Sequence, residues 1–170
     1  LKRDFKNKND HNSDFTEMNF VQGAIMLINI ENTYKKNIRF DKKIFLYWEE
    51  VDFFQQCFDK EQKIYLIKNI IAIHDGNKSI NKNIHNDIEY NRNWHYMWSK
   101  FYYYKKHFGV ISAYKRTLRH FFSAATKIVI FFLIKDKKYK KYLERFSGLM
   151  NSYLGKPSFR RPKINEENIE

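Results

Sequence analysis

Three carboxylates within four residues form the cluster of this sequence that is best suited to chemistry. They lie in Trp48-Glu49-Glu50-Val51-Asp52. A carboxylate held in place can act as a general base that takes a proton from an attacking hydroxyl, and its neighbour can orient basic or hydroxyl groups. The plain alternative is an acidic helix N-terminus, where the helix dipole favours Glu and Asp. The cluster taken alone favours this alternative.

His74 is a second candidate, with Asp75, Gly76 and Ser79 after it. Imidazole commonly binds divalent cations, and a His at the end of a strand could bind a metal that also holds a diphosphate. A single His is more often a hydrogen-bonded residue at a turn. The sequence around His74 leaves both interpretations open.

Apolar runs predict the elements that would position these residues. A nearly continuous run over residues 20–30 predicts a strand buried on both faces. Residues 44–48 predict a short strand that ends at the acidic cluster, and ligands gather at such strand ends in open α/β sheets. A helix is expected over 52–60, and two short strand segments over 63–67 and 70–74.

Beyond residue 90 the spacing of apolar residues becomes helical. Aromatic residues recur every three or four positions from Trp94, Gly109 is expected to end this helix, and the pattern resumes over 118–133. A third helix is expected over 139–154. The longest apolar run here, 128–134, is far shorter than the about 20 residues that cross a bilayer, so no span is predicted.

The net charge and the single cysteine limit the partners and the cellular compartment that we expect. A formal net charge of +13 favours polyanions: nucleic acid, anionic lipid headgroups or diphosphate substrates. The basic aromatic helices could lie in the headgroup plane of an anionic membrane or pack on their own domain, and both alternatives stay open. Cys57 is the single cysteine, so we expect no internal disulfide and a reducing, cytoplasmic compartment.

Three blocks, in this order, resemble family 2 glycosyltransferases, particularly their bacterial rhamnosyltransferase-like branch. The blocks are GAIML at 23–27, FDKKIFLYWEEVD at 40–52 and IHDGNKS at 73–79. Members of the family have G-A-x-x-L, F-D-E-x-F-F-L-Y-x-E-D-x-D-L-x-x-R and H-x-G-G-x-S at similar spacings. Three ordered blocks are far more specific than any one of them. The basic aromatic stretch 93–109 also resembles the segment that follows the family's catalytic domain.

The resemblance implies an α/β fold, with the acceptor-side half of a GT-A-type sheet followed by C-terminal amphipathic helices. It implies the C-terminal half of a catalytic domain over 18–90, and composition and spacing add a polar, flexible lead-in over 1–17, a helical, basic and aromatic extension over 91–156 and an irregular tail over 157–170. The family's nucleotide-binding half, with its D-x-D metal site, would precede residue 20. We therefore expect this chain to be a fragment that is inactive alone.

The resemblance also assigns catalytic roles to the acidic cluster. Glu50 matches the catalytic base, Glu49 is its partner, and Asp52 matches an Asp expected to support the acceptor side. The base position carries Glu where the family has Asp, which is one methylene shorter. The family's following Arg is Gln56 here, so a fixed positive charge is lost.

The resemblance assigns binding roles to residues outside the acidic cluster and to Trp48 at its edge. By the resemblance, Gly23, Ala24 and Trp48 would bind the acceptor, and His74 would bind a divalent metal, Mg²⁺ or Mn²⁺, that holds the diphosphate. The second Gly of the His block is Asn77 here, a residue that tolerates turn conformations.

The implied activity is transfer of a sugar, such as rhamnose, from a nucleotide diphosphate sugar with inversion. The acceptor would be lipid-linked or a polysaccharide of the cell envelope, and the protein would be peripheral at the inner face of the cytoplasmic membrane. The alternative is a non-catalytic membrane-surface or interaction fragment. Nucleic acid is the least favoured partner, and we expect none, because the aromatic residues fall at helical spacings that core burial explains.

Overall fold

The computed structural model describes residues 14–20, 25–73 and 85–162. The described chain is mixed α/β and mostly helical. Its elements in chain order are β1 (Phe15–Met18), α1 (Ile30–Lys35), α2 (Glu49–Asp59), β2 (Ile64–Ile67), α3 (His85–Leu133) and α4 (Tyr139–Tyr153).

The chain forms two compact units that are each discontinuous in sequence. The first unit comprises the described residues 14–20, 25–40 and 50–73, and the second comprises 41–49 and 85–162. The acidic cluster lies where the chain passes from the second unit into the first.

The first unit contains a two-stranded antiparallel sheet, α1 and all of α2 except Glu49. Phe15 of β1 lies opposite Ile67 of β2, and Met18 lies opposite Ile64. The buried face of α2 carries Phe53, Phe54 and Cys57, which pack with Ile38. Burial raises the pKa of the Cys57 thiol, and the Lys60 charge opposes that rise only in part.

The second unit is built on α3, which folds back on itself at Gly109. This glycine has φ 81° and ψ 165°, values outside the helical range, and separates a first arm (85–108) from a second arm (110–133). Lys100 and His120 would be about 30 Å apart on a straight helix of that length. Their Nζ and Nε2 atoms are 2.7 Å apart, so the arms form an antiparallel hairpin.

Helix α4 packs against both arms and completes a three-helix bundle. Gly148 of α4 meets the backbone of Trp94 so closely that any Cβ would overlap with the Trp94 carbonyl. The bundle core is aromatic and apolar, with a hydroxyl pair between Thr117 and Tyr153 at 3.0 Å. Its buried residues are Met97, Phe101, Ala113 and Leu149, and Tyr104, Tyr114, Phe121 and Tyr153 pack against them.

The segment after α4 returns to the first arm and is held there by His95. Gly155 has φ 71°, which lets the chain turn after the helix. Nε2 of His95 donates to the carbonyl of Arg160 at 2.8 Å, and Nδ1 accepts from the Ser158 hydroxyl at 3.0 Å. Burial, together with the charges of Arg161 and Arg160, lowers the pKa of His95 to about 4, so the ring is neutral.

Three strand predictions are wrong in the described part of the chain. Residues 25–29 have no regular structure and Ile30 begins a helix, residues 44–48 are irregular, and 70–73 are not a strand. A strand buried on both faces needs neighbouring strands, and none pairs with these segments among the described residues. Leu27, Ile71 and Ile73 are accordingly about 90% exposed. The prediction of a GT-A-type half-sheet therefore gains no support from the described strands.

The helix predictions and the strand over 63–67 are confirmed, with boundaries that differ by a few residues. The break at Gly109 is confirmed, as is the irregular course of 157–162. β1 falls partly within the segment expected to be a polar loop and was not predicted. None of the helices in the described ranges is long and apolar enough to cross a membrane.

Candidate functional site

Helix α2 carries the three carboxylates in its first turn and places them in different surroundings. The helix begins at Glu49, so all three acidic side chains lie near the positive end of the helix dipole. At 100° per residue, Glu49 and Asp52 share a face, and Glu50 points away from both. Asp52 is fully buried, whereas Glu49 and Glu50 are half-buried.

Asp52 belongs to a hydrogen-bonded network inside the first unit. Its Oδ2 accepts from the Gln56 side-chain amide at 2.7 Å. The same amide group donates to the carbonyl of Arg39 at 2.9 Å, and Gln56 Oε1 accepts from the Arg39 N–H at 3.2 Å. Gln56 thus joins the buried carboxylate to the backbone of the preceding segment. Asp52 can act on a substrate only through the residues that it holds in place.

Glu50 differs from Asp52 in accessibility and in partners. Its side chain reaches solvent, and within the described ranges no hydrogen bond or ion pair to it is formed. A carboxylate of this kind keeps its lone pairs available for a proton or a hydroxyl group. Of the three acidic residues, Glu50 is therefore the best placed to act as a base.

Within the second unit, Asp41 anchors the segment that leads to the acidic cluster. Its Oδ2 accepts from the Tyr102 hydroxyl at 3.0 Å and from Lys106 Nζ at 2.8 Å, and its Oδ1 accepts from the Lys43 N–H at 2.9 Å. Partial burial opposes ionisation, but the bonds from Lys106, Lys43 and Tyr102 hold the pKa of Asp41 below its usual range. Ser99 donates to the Leu46 carbonyl at 3.1 Å and fixes the segment further along.

Tyr47 and Trp48, at the end of this segment, both have left-handed backbone conformations. Their φ values are 61° and 73°. Bulky residues rarely adopt this region, which costs about 1–3 kcal/mol per residue and persists only where surrounding contacts impose it. Consecutive residues of this kind exclude a β-strand over 44–48, which is the physical reason that this strand prediction is wrong. Such strain is concentrated at functional sites in proteins.

Side chains of the first arm of α3 hold the Trp48 ring in the second unit. Its centroid lies 5.8 Å from that of Tyr96, 5.2 Å from Tyr103 and 5.7 Å from Tyr104, and Lys100 Nζ is 6.0 Å from it. Burial lowers the pKa of Lys100, and the Arg145 charge lowers it further. The Trp48 indole N–H is buried and makes no hydrogen bond to the described residues. Most of the ring is thus committed to packing.

The remaining predicted site residues lie outside the described ranges. These are Gly23 and Ala24, assigned to the acceptor, and His74, assigned to a metal. In the part of the chain that is described, no three His, Cys, Asp or Glu side chains come together as a metal site.

Asp41 is a residue whose importance the sequence analysis missed. It lies inside the block at 40–52 but outside the acidic cluster, and no role was predicted for it. Its partners Tyr102 and Lys106 are about 60 residues away in sequence, so the spacing of residues along the chain does not indicate these contacts.

Comparison with known protein families, curated proteins and solved structures found no match for this chain.

The network at Gln56 predicts a difference between two neighbouring glutamines of α2. Gln56→Leu should lower the free energy of unfolding by about 2–3 kcal/mol, because it removes hydrogen bonds from a buried carboxylate. Gln55→Leu is the matched control: that side chain bonds to Asp59 at the surface, and its loss should cost below about 0.5 kcal/mol. Urea unfolding measures both. Equal costs for the two substitutions would contradict the network.

Proposed function

We propose that this chain is the acceptor-side half of a glycosyltransferase of the family 2 type and that Glu50 is its general base. The observation that carries the proposal is the accessible carboxylate of Glu50 in the first turn of α2. One residue, Glu49, separates Glu50 from Tyr47 and Trp48 with their strained backbones, and nearby Asp52 is buried and bonded to Gln56. The ordered blocks at 23–27, 40–52 and 73–79 support the same assignment, including the GT-A-type fold.

In the proposed reaction, the Glu50 carboxylate removes the proton of an acceptor hydroxyl. The hydroxyl oxygen forms a bond to the anomeric carbon of the sugar, and the bond from that carbon to the diphosphate oxygen breaks. The nucleoside diphosphate leaves with the bonding electron pair, and attack from the opposite side inverts the anomeric centre. A divalent metal would stabilise the charge on the leaving diphosphate when bound. Its proposed ligand His74 lies outside the described residues, so no step rests on it.

A membrane surface is the proposed place of action, and the outward face of the second arm of α3 supports it. Apolar residues at spacings of seven and four form one stripe along this arm, which we call the apolar stripe. They are between 40% and 72% exposed: Ile111, Leu118, Phe122, Val129 and Leu133. The opposite face buries Ala113, Thr117 and Ala124 in the bundle. The apolar stripe therefore points away from the core of its own unit.

The charges of the second arm favour anionic lipid as the occupant of this face. The arm contains no Asp or Glu, and its charged residues are Lys115, Arg116, Arg119 and Lys127. A helix with an exposed apolar stripe and only basic charges lies at the headgroup level of an anionic bilayer, where apolar burial and electrostatic attraction add. This would bring the proposed enzyme to a lipid-linked acceptor.

Glu50→Gln tests the catalytic proposal in the complete gene product that contains this chain. Removing the base should lower the rate of sugar transfer by about a hundredfold to ten-thousandfold, with stability unchanged. Glu61→Gln, at the exposed end that follows α2, is the matched control and should keep full activity. Transfer is measured from the labelled donor. Unchanged turnover in Glu50→Gln would remove Glu50 as the base and favour a non-catalytic interaction fragment.

Vesicle flotation tests the membrane proposal. The chain should float with vesicles that contain phosphatidylglycerol, bind neutral vesicles far less, and dissociate in high salt. Phe122→Asp should weaken binding about tenfold or more, because burying a Phe side chain contributes about 1.5–3 kcal/mol. The matched control is Leu143→Asp, at an exposed apolar position of α4. Equal effects of both substitutions, or a stripe that instead mediates concentration-dependent dimers, would contradict the proposal.

A further inference from the structure

A cleft of about 490 Å³ lies entirely within the second unit, and Glu49, Glu50 and Asp52 are not among its lining residues. That volume falls in the range of about 300–1,000 Å³ that is typical of small-molecule sites. The first arm of α3, the segment after α4 and the segment after Asp41 each supply part of its wall. The lining residues are Lys42, Lys43, Phe45, Trp98, Phe101, Tyr102, Lys105, Ser152, Gly155, Lys156, Pro157, Ser158 and Arg161.

Positive charge dominates the cleft. Among the described residues, the lining includes no Asp or Glu and five basic residues from three separate segments: Lys42, Lys43, Lys105, Lys156 and Arg161. None of the five forms an ion pair with a carboxylate in the described part of the chain. Nearby carboxylates are engaged by other cations, since Asp41 pairs with Lys106, and Arg160 pairs with Asp87 and Glu144. The cleft therefore attracts an anion from solution.

Aromatic side chains form the rest of the wall, and hydrogen bonds keep the wall in shape. The rings of Trp98 and Tyr102 stack with centroids 5.1 Å apart, and the Arg161 guanidinium lies 3.6 Å from the centroid of Phe45. The Trp98 indole N–H donates to the Lys156 carbonyl at 3.0 Å, which ties the segment after α4 to the first arm. Ser152 adds a bond to the Trp98 carbonyl at 3.0 Å.

We infer that this cleft binds a phosphate or diphosphate ester, with the anionic group on the five cations and the organic part against the aromatic wall. Lysine and arginine bind phosphate oxygens through charge-assisted hydrogen bonds, and Arg can do so with two parallel bonds. Aromatic faces favour a ring or a hydrocarbon chain over water. Both a soluble nucleotide and the headgroup of a lipid diphosphate have this chemistry.

Isothermal titration of the full chain tests the cleft with three probes: inorganic pyrophosphate, a nucleoside diphosphate and a short prenyl diphosphate. We expect saturable binding that weakens with salt, and tighter binding of at least one ester than of pyrophosphate. The double variant Lys105→Ala/Lys156→Ala should weaken binding about a hundredfold, at about tenfold per charged contact. The double variant Lys137→Ala/Lys140→Ala removes the same charge from exposed positions outside the cleft and should change affinity by less than about twofold.

The two ester probes separate the sources of the ligand: preference for the nucleoside diphosphate indicates a soluble ligand, and preference for the prenyl diphosphate indicates a lipid headgroup. Absence of saturable binding by all three probes would overturn the inference. So would equal losses in the two double variants, because they would indicate attraction by net charge alone. These measurements record binding without sugar transfer, so their result is independent of the proposed activity. Circular dichroism of each variant verifies that the bundle is intact.

Discussion

Left-handed backbone at two successive aromatic residues is the constraint on which the segment leading to the acidic cluster depends. Tyr47 and Trp48 cost about 1–3 kcal/mol each in this conformation, and packing must offset that cost. In the second unit the Trp48 ring lies against three tyrosines of α3, and Asp41 fixes the other end of the segment through Tyr102 and Lys106. Helix α2 then begins at once, at Glu49.

The same segment connects the two candidate sites. Residues 42, 43 and 45 line the basic cleft, and the segment ends at the residues that precede Glu50. In the proposed enzyme, the cleft of the helical unit would bind a diphosphate ester, while the general base, Glu50, belongs to α2. His95 supports the part of the cleft wall formed after α4, because its neutral ring is hydrogen-bonded to Ser158 and to the Arg160 carbonyl.

Sequence patterns predicted the helices because apolar residues that recur every three or four positions are a local signal, which does not depend on distant partners. They failed for three of the four predicted strands, since an apolar run over 25–30 or 70–73 becomes a strand only with partner strands that spacing does not reveal. The role of Glu50 stays a prediction from residue type and block order. Asp41, the network at Gln56 and the basic cleft depend on contacts between distant residues, and a single sequence does not specify these.

The anomeric configuration of a transferred sugar tests the account most directly. The complete gene product is incubated with a nucleotide diphosphate sugar and a lipid-linked acceptor, and the new glycosidic linkage is assigned by nuclear magnetic resonance. A single-step transfer with Glu50 as general base inverts the configuration of the donor sugar. We therefore predict the opposite anomer in the product. A product with the donor's configuration, or no transfer to any acceptor by an intact and folded gene product, would contradict it.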